Sequence, residues 1–529
     1  MIVAAPALKT KESFDFLESQ INTQKSDSGM SGPIRVLSVT SELYPLIKTG
    51  GLADVTGALP LALKDQGVEV RSFIPGYRSV MSKLENPRVV KTYNNLFGSK
   101  AAILADEVAG HKIYVLDCPD FFDRSGGPYL DENGADWEDN WQRFGALSKA
   151  AADVALGKLK EWEPQVIHAH DWQSALSLAY VRYANFGNIP RIMTIHNLAF
   201  QGRYDAKIFK KLGLPKKAWA MNGVEYYGGI GYMKAGLSSA DVITTVSPTY
   251  AREIRRPENG MGLDGLINHR ENDLYGILNG IDDDVWNPPE DPYITKQYSA
   301  RNYQMRRQNR FDLETEFGLF HDEDPLFVIC SRMTWQKGVD MLLELLDELV
   351  PMGAKFAVLG QGDNAIERGF LAASQRHPGR IGVKVGYEEP IAHRMQAGGD
   401  AILIPSRFEP CGLTQLYGLR YGCVPVVTRV GGLADTIIDA NEASVSLGCA
   451  TGVQFYPPDP FHLKQAVVRT IKLYNDKTAW KSMQRAGMRS DFSWGRSAAR
   501  YVDLYRQVIA NYDAKKTFRP LSRAIRAAL

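Results

Sequence analysis

The stretch that decides the fold runs from Ile34 to Pro75: IRVLSVTSELYPLIKTGGLADVTGALPLALKDQGVEVRSFIP. It begins with IRVLSVTSE, a short apolar run typical of a buried strand. A glycine-rich loop follows, and ADVTGALPLALKDQG then has the periodicity of an amphipathic helix that ends at Gly67. VEVRSFIP is the next strand. The stretch therefore predicts a β-α-β unit with parallel strands.

The same alternation of strand and helix continues along the chain. Strands that end in polar residues recur in QVIHAHDW, RIMTIHN and DVITTVSP. Around residues 276–289 the sequence GILNGIDDDVWNPP indicates a hinge. The alternation then restarts in PLFVICSRM, KFAVLGQGD, RIGVKVGY, DAILIPSRFEP and VPVVTRVGG, and a helical stretch covers roughly residues 480–515. We predict an α/β protein with two Rossmann-like, doubly wound parallel-sheet domains that face a cleft.

Composition narrows the class of protein. Of the 529 residues 44% are apolar and 23% charged, which is typical of a globular protein, and the net charge of +2 does not favour nucleic acid as a partner. The five cysteines are far apart and include no C-x-x-C pair, which favours reduced thiols and a cytoplasmic protein. The sequence contains no run of 18 or more apolar residues, so no membrane span is predicted. Residues 1–33 are polar and irregular, and we interpret them as a disordered extension.

The loop KTGGLADV, Lys48–Val55, is the first candidate for chemistry. Its glycines allow close approach of a ligand to the backbone at a helix start, and Lys48 adds a positive charge suited to a diphosphate. The alternative is a tight turn with a solvated lysine. A second copy, VGGLADT at Val430–Thr436, has no such lysine, so we interpret it as a mainly structural turn.

Two further candidates follow strands in the second half of the chain. In VICSRMTWQKGVD, Arg332 and Lys337 suit a phosphate cluster, although each is equally consistent with an ordinary surface residue. In PSRFEPCGLTQLYG, Glu409 stands beside a helix start and could bind sugar hydroxyls or simply cap the helix. Cys411 is more readily interpreted as an apolar filler than as a nucleophile.

Several weaker patterns have to be weighed as well. HAHDWQ and TIHNLAFQG offer polar groups suited to sugar hydroxyls, and a zinc site is disfavoured because Trp172 stands where a further histidine is expected. LGQGDNA fits a dinucleotide fingerprint, but the expected acid about twenty residues later is not clear. Asp282, Asp283 and Asp284 could bind Mg²⁺, although such residues more often cap a turn.

Taken together and in this order, KTGGLADV, HAHDWQ, the segment 331–338, SRFEPCGLTQLYGLRYG and GGLADT resemble the glycogen and starch synthases of glycosyltransferase family 5. The resemblance runs from about residue 34 to about residue 510. It implies the GT-B fold, with a last helix that crosses back to the first domain. It also implies retaining transfer of glucose from ADP-glucose to the non-reducing 4-OH of an α-1,4-glucan, without a metal or another cofactor.

The expected division of the chain is an extension over residues 1–33, an acceptor-side domain over 34–280, a nucleotide-sugar domain over 281–500 and a crossing helix over 501–529. The resemblance also implies site residues. The catalytic candidates are Lys48, Asp171, His196, Arg332, Lys337 and Glu409. The donor-binding candidates are Gly50, Gly51, Asp54, Asn279, Tyr387, Cys411, Gly412, Leu413 and Thr414.

The resemblance assigns these candidates to particular parts of the substrates. Arg332, Lys337 and Lys48 correspond to groups at the donor phosphates, and Glu409 to the acid on the glucosyl hydroxyls. Asp171 and His196 lie near the transferred glucose and the acceptor, and Tyr387 is a candidate for contacting adenine.

The sequence leaves several alternatives open. The donor could be ADP-glucose or UDP-glucose, and the reaction could use a same-face route or a covalent sugar intermediate. Another GT-B transferase of the trehalose or sucrose type, a non-catalytic sugar-binding protein and a metal-dependent hydrolase are the rival functions. The oligomeric state is also open.

Overall fold

The computed structural model describes residues 32–185 and 189–528, with side chains described as far as residue 514. The predicted disordered extension therefore lies outside the described residues, apart from Gly32 and Pro33. Among the described residues, no helix combines the length and the apolar content that a bilayer span requires.

The N-terminal half is built on a nine-stranded sheet, with a small three-stranded sheet (β8–β10) beside it. The strands are β1 (Ile34–Val39), β2 (Val68–Pro75), β3 (Arg88–Leu96), β4 (Ser99–Val108), β5 (His111–Asp117), β6 (Val166–His170), β7 (Arg191–Ile195), β8 (Arg203–Tyr204), β9 (Glu225–Tyr226), β10 (Gly229–Gly231), β11 (Val242–Thr245) and β12 (Leu274–Gly276). The order in the large sheet is β12-β11-β7-β6-β1-β2-β5-β4-β3. The helices are Gly51–Lys64, Arg78–Met81, Pro119–Phe122, Asn140–Ala155, Asp171–Arg182, Tyr232–Ser239, Pro248–Glu253 and Asp264–His269.

The C-terminal half is built on a six-stranded parallel sheet in the order β15-β14-β13-β16-β17-β18. Its strands are β13 (Leu326–Cys330), β14 (Lys355–Gly360), β15 (Ile381–Val385), β16 (Ala401–Ile404), β17 (Val424–Thr428) and β18 (Val453–Phe455). This is the Rossmann order, in which the strand sequence reverses between the first and fourth strands. The helices are Arg306–Glu316, Val339–Leu349, Asn364–Arg376, Glu389–Gly398, Thr414–Tyr421, Gly431–Thr436, Glu442–Ser446, Pro460–Asn475, Lys477–Arg489 and Trp494–Ala528.

The predicted fold class, two Rossmann-like parallel-sheet domains, is confirmed. Two details were not predicted correctly. Strand β4 runs antiparallel to both β3 and β5, so the N-terminal sheet has an antiparallel edge. The helical stretch predicted near residues 480–515 is two helices, because Asp491 accepts the backbone N–H of Ser493 and turns the chain between them.

The last helix returns to the N-terminal half. It starts at Trp494, and its apolar face packs with Val36 of β1 and with Val55 and Leu59 of the helix Gly51–Lys64. The hydroxyl of Tyr505 lies 2.9 Å from Nδ1 of the buried His168. The chain thus crosses between the two halves twice, and the two crossings are joined by a bond from the N–H of Ile281 to the carbonyl of Phe492.

We predict that Tyr505→Phe destabilises the N-terminal half by about 1–3 kcal/mol, because it leaves a ring nitrogen of His168 buried without its partner. Urea unfolding followed by circular dichroism measures this change. Tyr456→Phe, at a position that is 58% exposed, is the matched control and should change the unfolding free energy little. Equal midpoints for the two variants would contradict the prediction.

Candidate active site

The candidate residues lie at the carboxyl ends of strands on both sides of the cleft. In the N-terminal sheet the strand order reverses between β1 and β6, and in the C-terminal sheet between β13 and β16. Connections leave a sheet toward opposite faces at such a point, which opens a crevice for ligands. The loop with Lys48 follows β1, Asp171 follows β6, Lys337 follows β13 and Glu409 follows β16.

The KTGG loop is held by a carboxylate that the sequence analysis missed. Glu42 is buried, and its oxygens accept the backbone N–H and the hydroxyl of Thr49 together with the hydroxyl of Tyr129. The N–H of Gly50 lies 3.3 Å from the same carboxylate. Glu42 therefore fixes the backbone beside Lys48. Glu42 is the last residue of IRVLSVTSE, which we interpreted as a strand, but strand β1 ends at Val39 and Glu42 belongs to the loop that follows.

The Lys48 side chain reaches across the cleft. Its Nζ lies 2.7 Å from Oδ1 of Asp54 and 4.0 Å from Oε2 of Glu389, which belongs to the C-terminal half. Burial raises the pKa of Asp54, and the Lys48 ammonium partly offsets this rise. A Cβ added to Gly51 would lie 4.0 Å from Leu413 Cδ1 of the opposite half. The loop and the C-terminal half are thus close enough to share a ligand.

Asp171 is the strained residue of the N-terminal crevice. It has a φ of +55°, unusual for a residue other than glycine, and its Oδ1 accepts the N–H groups of His196 (2.8 Å) and Asn197 (3.4 Å). Burial raises its pKa to about 7. Burial also lowers the pKa of His196 to about 3, so this imidazole is neutral at pH 7. The edge therefore presents hydrogen-bonding groups suited to sugar hydroxyls.

The C-terminal crevice contains an ion pair. Nζ of Lys337 lies 2.6 Å from Oε2 of Glu409, and the hydroxyl of Ser406 donates to the same oxygen at 2.8 Å. Gly338 follows with a φ of +67°, and a Cβ there would lie 2.0 Å from the carbonyl oxygen of Pro405. The loops after β13 and β16 are therefore packed directly on each other, which fixes the ammonium beside the carboxylate.

Arg332 is less constrained than Lys337. It is exposed, and its contact with the Gln336 side chain is 3.5 Å long. The loop that carries it is anchored by Arg407, which binds both oxygens of Asp340 at 2.8 Å and the carbonyl of Trp335. The Arg332 guanidinium is thus accessible to an anion, on a loop whose backbone is anchored. Arg407 lies in the motif that drew attention to Glu409, but its anchoring role was not predicted.

Four of the remaining donor-side candidates, Cys411, Gly412, Leu413 and Thr414, lie at the start of the helix Thr414–Tyr421. Gly412 has a φ of +70°, and Leu413 precedes the first helical residue. Cys411 is buried, and burial raises the pKa of its thiol to about 12 while Asn279 hydrogen-bonds it. The thiol is therefore protonated, as expected for an apolar filler. Tyr387 follows β15 and is 53% exposed.

The weaker patterns have structural explanations. Backbone bonds join Met333 to Gln361 and Asp363, so the LGQGDNA glycines allow the Arg332 loop to pack against β14. Asp282 accepts the N–H groups of Asp284 and Val285 and caps a turn. His168 is engaged by Thr194 and Tyr505. Among the described residues, no group of three or more His, Cys, Asp or Glu side chains is arranged to hold a metal ion.

Two doubly wound sheets whose switch points share one cleft define the GT-B class of glycosyltransferase. Comparison with known proteins agrees with this class. Residues 35–269 match the family described as starch synthase catalytic domain, and residues 311–486 match the glycosyl transferases group 1.

Two similar proteins are glycogen synthases from Novosphingobium aromaticivorans and Mesorhizobium japonicum. Each is 56% identical to the chain, and each alignment covers 90% of this chain and 99% of the relative. The chain belongs to the glycogen and starch synthase family of glucosyltransferases.

Solved structures show the same fold. The catalytic domain of starch synthase IV from Arabidopsis thaliana, solved with ADP and acarbose, matches with a TM-score of 0.80 and 29% identity, over 91% of this chain and all of that one. A sucrose-phosphate synthase from Thermosynechococcus elongatus matches at a TM-score of 0.55 and 16% identity, over 90% of this chain and all of that one, which shows the fold alone.

We predict that the Asp171 carboxyl makes the fold less stable as pH rises. Its folded-state pKa of about 7 is above the unfolded value, so the folded protein binds the proton more tightly and loses stability between about pH 4 and pH 7. Asp171→Asn keeps an acceptor for the backbone N–H groups but cannot titrate. Between about pH 5 and pH 8 its unfolding free energy should therefore fall by about 1–3 kcal/mol less than that of the wild type.

Urea unfolding at the two pH values measures this difference. The neighbouring histidines are present in both proteins, so their titration cancels in the comparison. Equal changes in the two proteins would show that Asp171 is ionised throughout this range.

Proposed function

We propose that the protein transfers glucose from ADP-glucose to the non-reducing 4-OH end of an α-1,4-glucan, with retention at the anomeric carbon and release of ADP. The observation that carries this proposal is that Lys48 of the N-terminal half approaches Glu389 of the C-terminal half, whose loops after β13 and β16 carry Arg332 and the ion pair between Lys337 and Glu409. Family membership supports the choice of glucan, and the Arabidopsis relative solved with ADP supports the choice of donor.

The cations have a direct role in this reaction. When the bond from C1 to the diphosphate oxygen breaks, its electron pair stays on the diphosphate, which gains negative charge. Arg332, Lys337 and Lys48 would stabilise that charge together with N–H groups at the start of the helix Thr414–Tyr421. A diphosphate would also draw Lys337 away from Glu409 and leave that carboxylate free to accept from the glucosyl hydroxyls.

The acceptor completes the reaction from the same face of the sugar. Its O4 forms the new bond to C1, and its proton passes to the departing phosphate oxygen, which balances the step without a covalent enzyme intermediate. The buried Asp171 and His196 would bind and orient the sugars. Packing of the two halves around the site would exclude water and so limit hydrolysis of the donor, which is the competing reaction.

The division of labour follows the domain boundaries predicted above. Residues 34–280 would hold the acceptor, residues 281–500 the nucleotide sugar, and the last helix would tie the two together. Tyr387, exposed beside the C-terminal crevice, is our candidate for contacting adenine. The five cysteines are free, which supports a reduced, cytoplasmic setting.

The first test is a transfer assay with glycogen and ¹⁴C-labelled glucose carried on ADP or on UDP, with and without EDTA. We expect incorporation from ADP-glucose that exceeds incorporation from UDP-glucose and is insensitive to EDTA. Incorporation from neither donor would refute the proposal. Loss of activity on chelation would instead favour a metal-dependent reaction.

The second test removes one cation at a time. Arg332→Ala and Lys337→Ala should each lower kcat by about 100- to 1,000-fold, because each removes a positive charge that stabilises the negative charge developing on the diphosphate. Arg368→Ala, at an exposed position of the helix Asn364–Arg376, is the control and should leave kcat unchanged. If both site variants keep near-normal turnover with an intact fold, the phosphate site lies elsewhere.

A further inference from the structure

Two short helices meet across the cleft beside the candidate active site. The helix Pro248–Glu253 belongs to the N-terminal half, and the helix Gly431–Thr436, which carries the second GGLAD, to the C-terminal half. The Glu253 carboxylate accepts the N–H of Gly431 at 3.0 and 3.1 Å. Asp435 accepts the N–H and the hydroxyl of Thr249 at 2.8 and 2.6 Å. Each helix thus supplies an acid to the first turn of the other. We call Thr249, Glu253, Gly431 and Asp435 the interdomain clasp.

On the C-terminal side the clasp is packed against the turn that carries Glu409. The N–H of Gly432 donates to the carbonyl oxygen of Glu409 at 3.1 Å. A Cβ at Gly431 would lie 1.9 Å from that oxygen, and a Cβ at Gly432 would lie 2.1 Å from the carbonyl oxygen of Cys411. With so little space between them, a displacement of Gly431 must displace the Glu409 turn as well.

On the N-terminal side the same helix holds the loop that carries His196. The hydroxyl of the buried Tyr250, which lies between Thr249 and Glu253, accepts the N–H of Leu198 at 3.1 Å. Leu198 comes two residues after His196. A continuous set of contacts therefore runs from the His196 loop through the two helices to Glu409.

We propose that Thr249, Glu253 and Asp435 are positioning residues that set the distance and orientation between the His196 loop and the Glu409 turn. The inference rests on the proposed function, because it takes the His196 loop and the Glu409 turn as the acceptor and donor sides of one reaction. In the proposed function the diphosphate is bound mainly by Arg332 and Lys337, which belong neither to the clasp nor to the Glu409 turn, so loosening the clasp should leave ADP binding intact. It should slow transfer, because a misplacement of about 1 Å between reacting groups can cost a factor of about 100 in rate.

The test compares truncated and conservative variants of the two acids. Glu253→Ala and Asp435→Ala remove an acceptor, whereas Glu253→Gln and Asp435→Asn retain one. We expect the alanine variants to lower kcat about tenfold or more, with Kd for ADP within about threefold of the wild type. The amide variants should keep at least about a third of wild-type kcat. Glu258→Ala, at an exposed acid five residues after Glu253, is the control.

The double variant Glu253→Ala with Asp435→Ala should have almost the same kcat as the less active of the two single variants, because both changes open one clasp. Unchanged kcat in the alanine variants would overturn the proposal, as would a raised KM at normal kcat. If Glu253→Ala fails to fold, Asp435→Ala and its asparagine counterpart decide the matter.

Amide hydrogen exchange gives a readout that does not require transfer. In the alanine variants, exchange should accelerate both at residues 196–200 and at residues 409–413. Faster exchange in only one of these two segments would show that the clasp does not couple them. A wild-type protein that transfers no glucose but shows the two-sided change would refute the proposed function and leave the clasp standing.

Discussion

The site depends on the way a parallel sheet opens where its strand order reverses. Neighbouring strands lie about 4.8 Å apart, yet the connections after them leave toward opposite faces, so a crevice forms without any special loop. Both halves of the protein have such a point, between β1 and β6 and between β13 and β16. Each crevice is rigid because its floor is a buried sheet. The chemistry therefore depends on how the two crevices are held relative to each other.

Charge pairing holds the ammonium groups of the cleft in place. Lys48 is held by Asp54 and approaches Glu389, and Lys337 is held by Glu409. These pairs keep the ammonium groups oriented without leaving unpaired charge at the protein surface. A diphosphate would compete for the same ammonium groups. Under the proposed function, donor binding would thus free the ammonium groups for the phosphates and Glu409 for the sugar hydroxyls, and little reorganisation would be left for the reaction itself.

Much of this arrangement could be predicted from the sequence, because the decisive strands are apolar runs that end abruptly in polar residues. The antiparallel strands β3 and β4 were not predicted, because β3 is half exposed and lacks a continuous apolar run. Glu42 escaped because its partners, Thr49 and Tyr129, are brought to it only by the fold. Contacts between distant segments leave no periodic signal.

The second GGLAD illustrates the same limit. Its missing lysine favours a structural turn, and its glycines do pack tightly on the Glu409 turn. However, Asp435 accepts the N–H of Thr249, and the N–H of Gly431 donates to Glu253, so both residues bond to the other half. No local pattern distinguishes a turn that only closes a loop from one that also joins two domains. Both copies lead into a helix, but Gly431 has a φ of +44° where the equivalent Gly50 is extended, and each copy faces the opposite half of the protein through different side chains.

A crystal structure of the complex with ADP tests most directly whether the two crevices form one site. The account predicts a diphosphate within about 3.2 Å of the side-chain nitrogens of Arg332 and Lys337, with Lys48 reaching it from the other half and the ion pair between Lys337 and Glu409 broken. ADP bound at the glycines of LGQGDNA, or bound in the cleft with Lys337 still on Glu409, would contradict it.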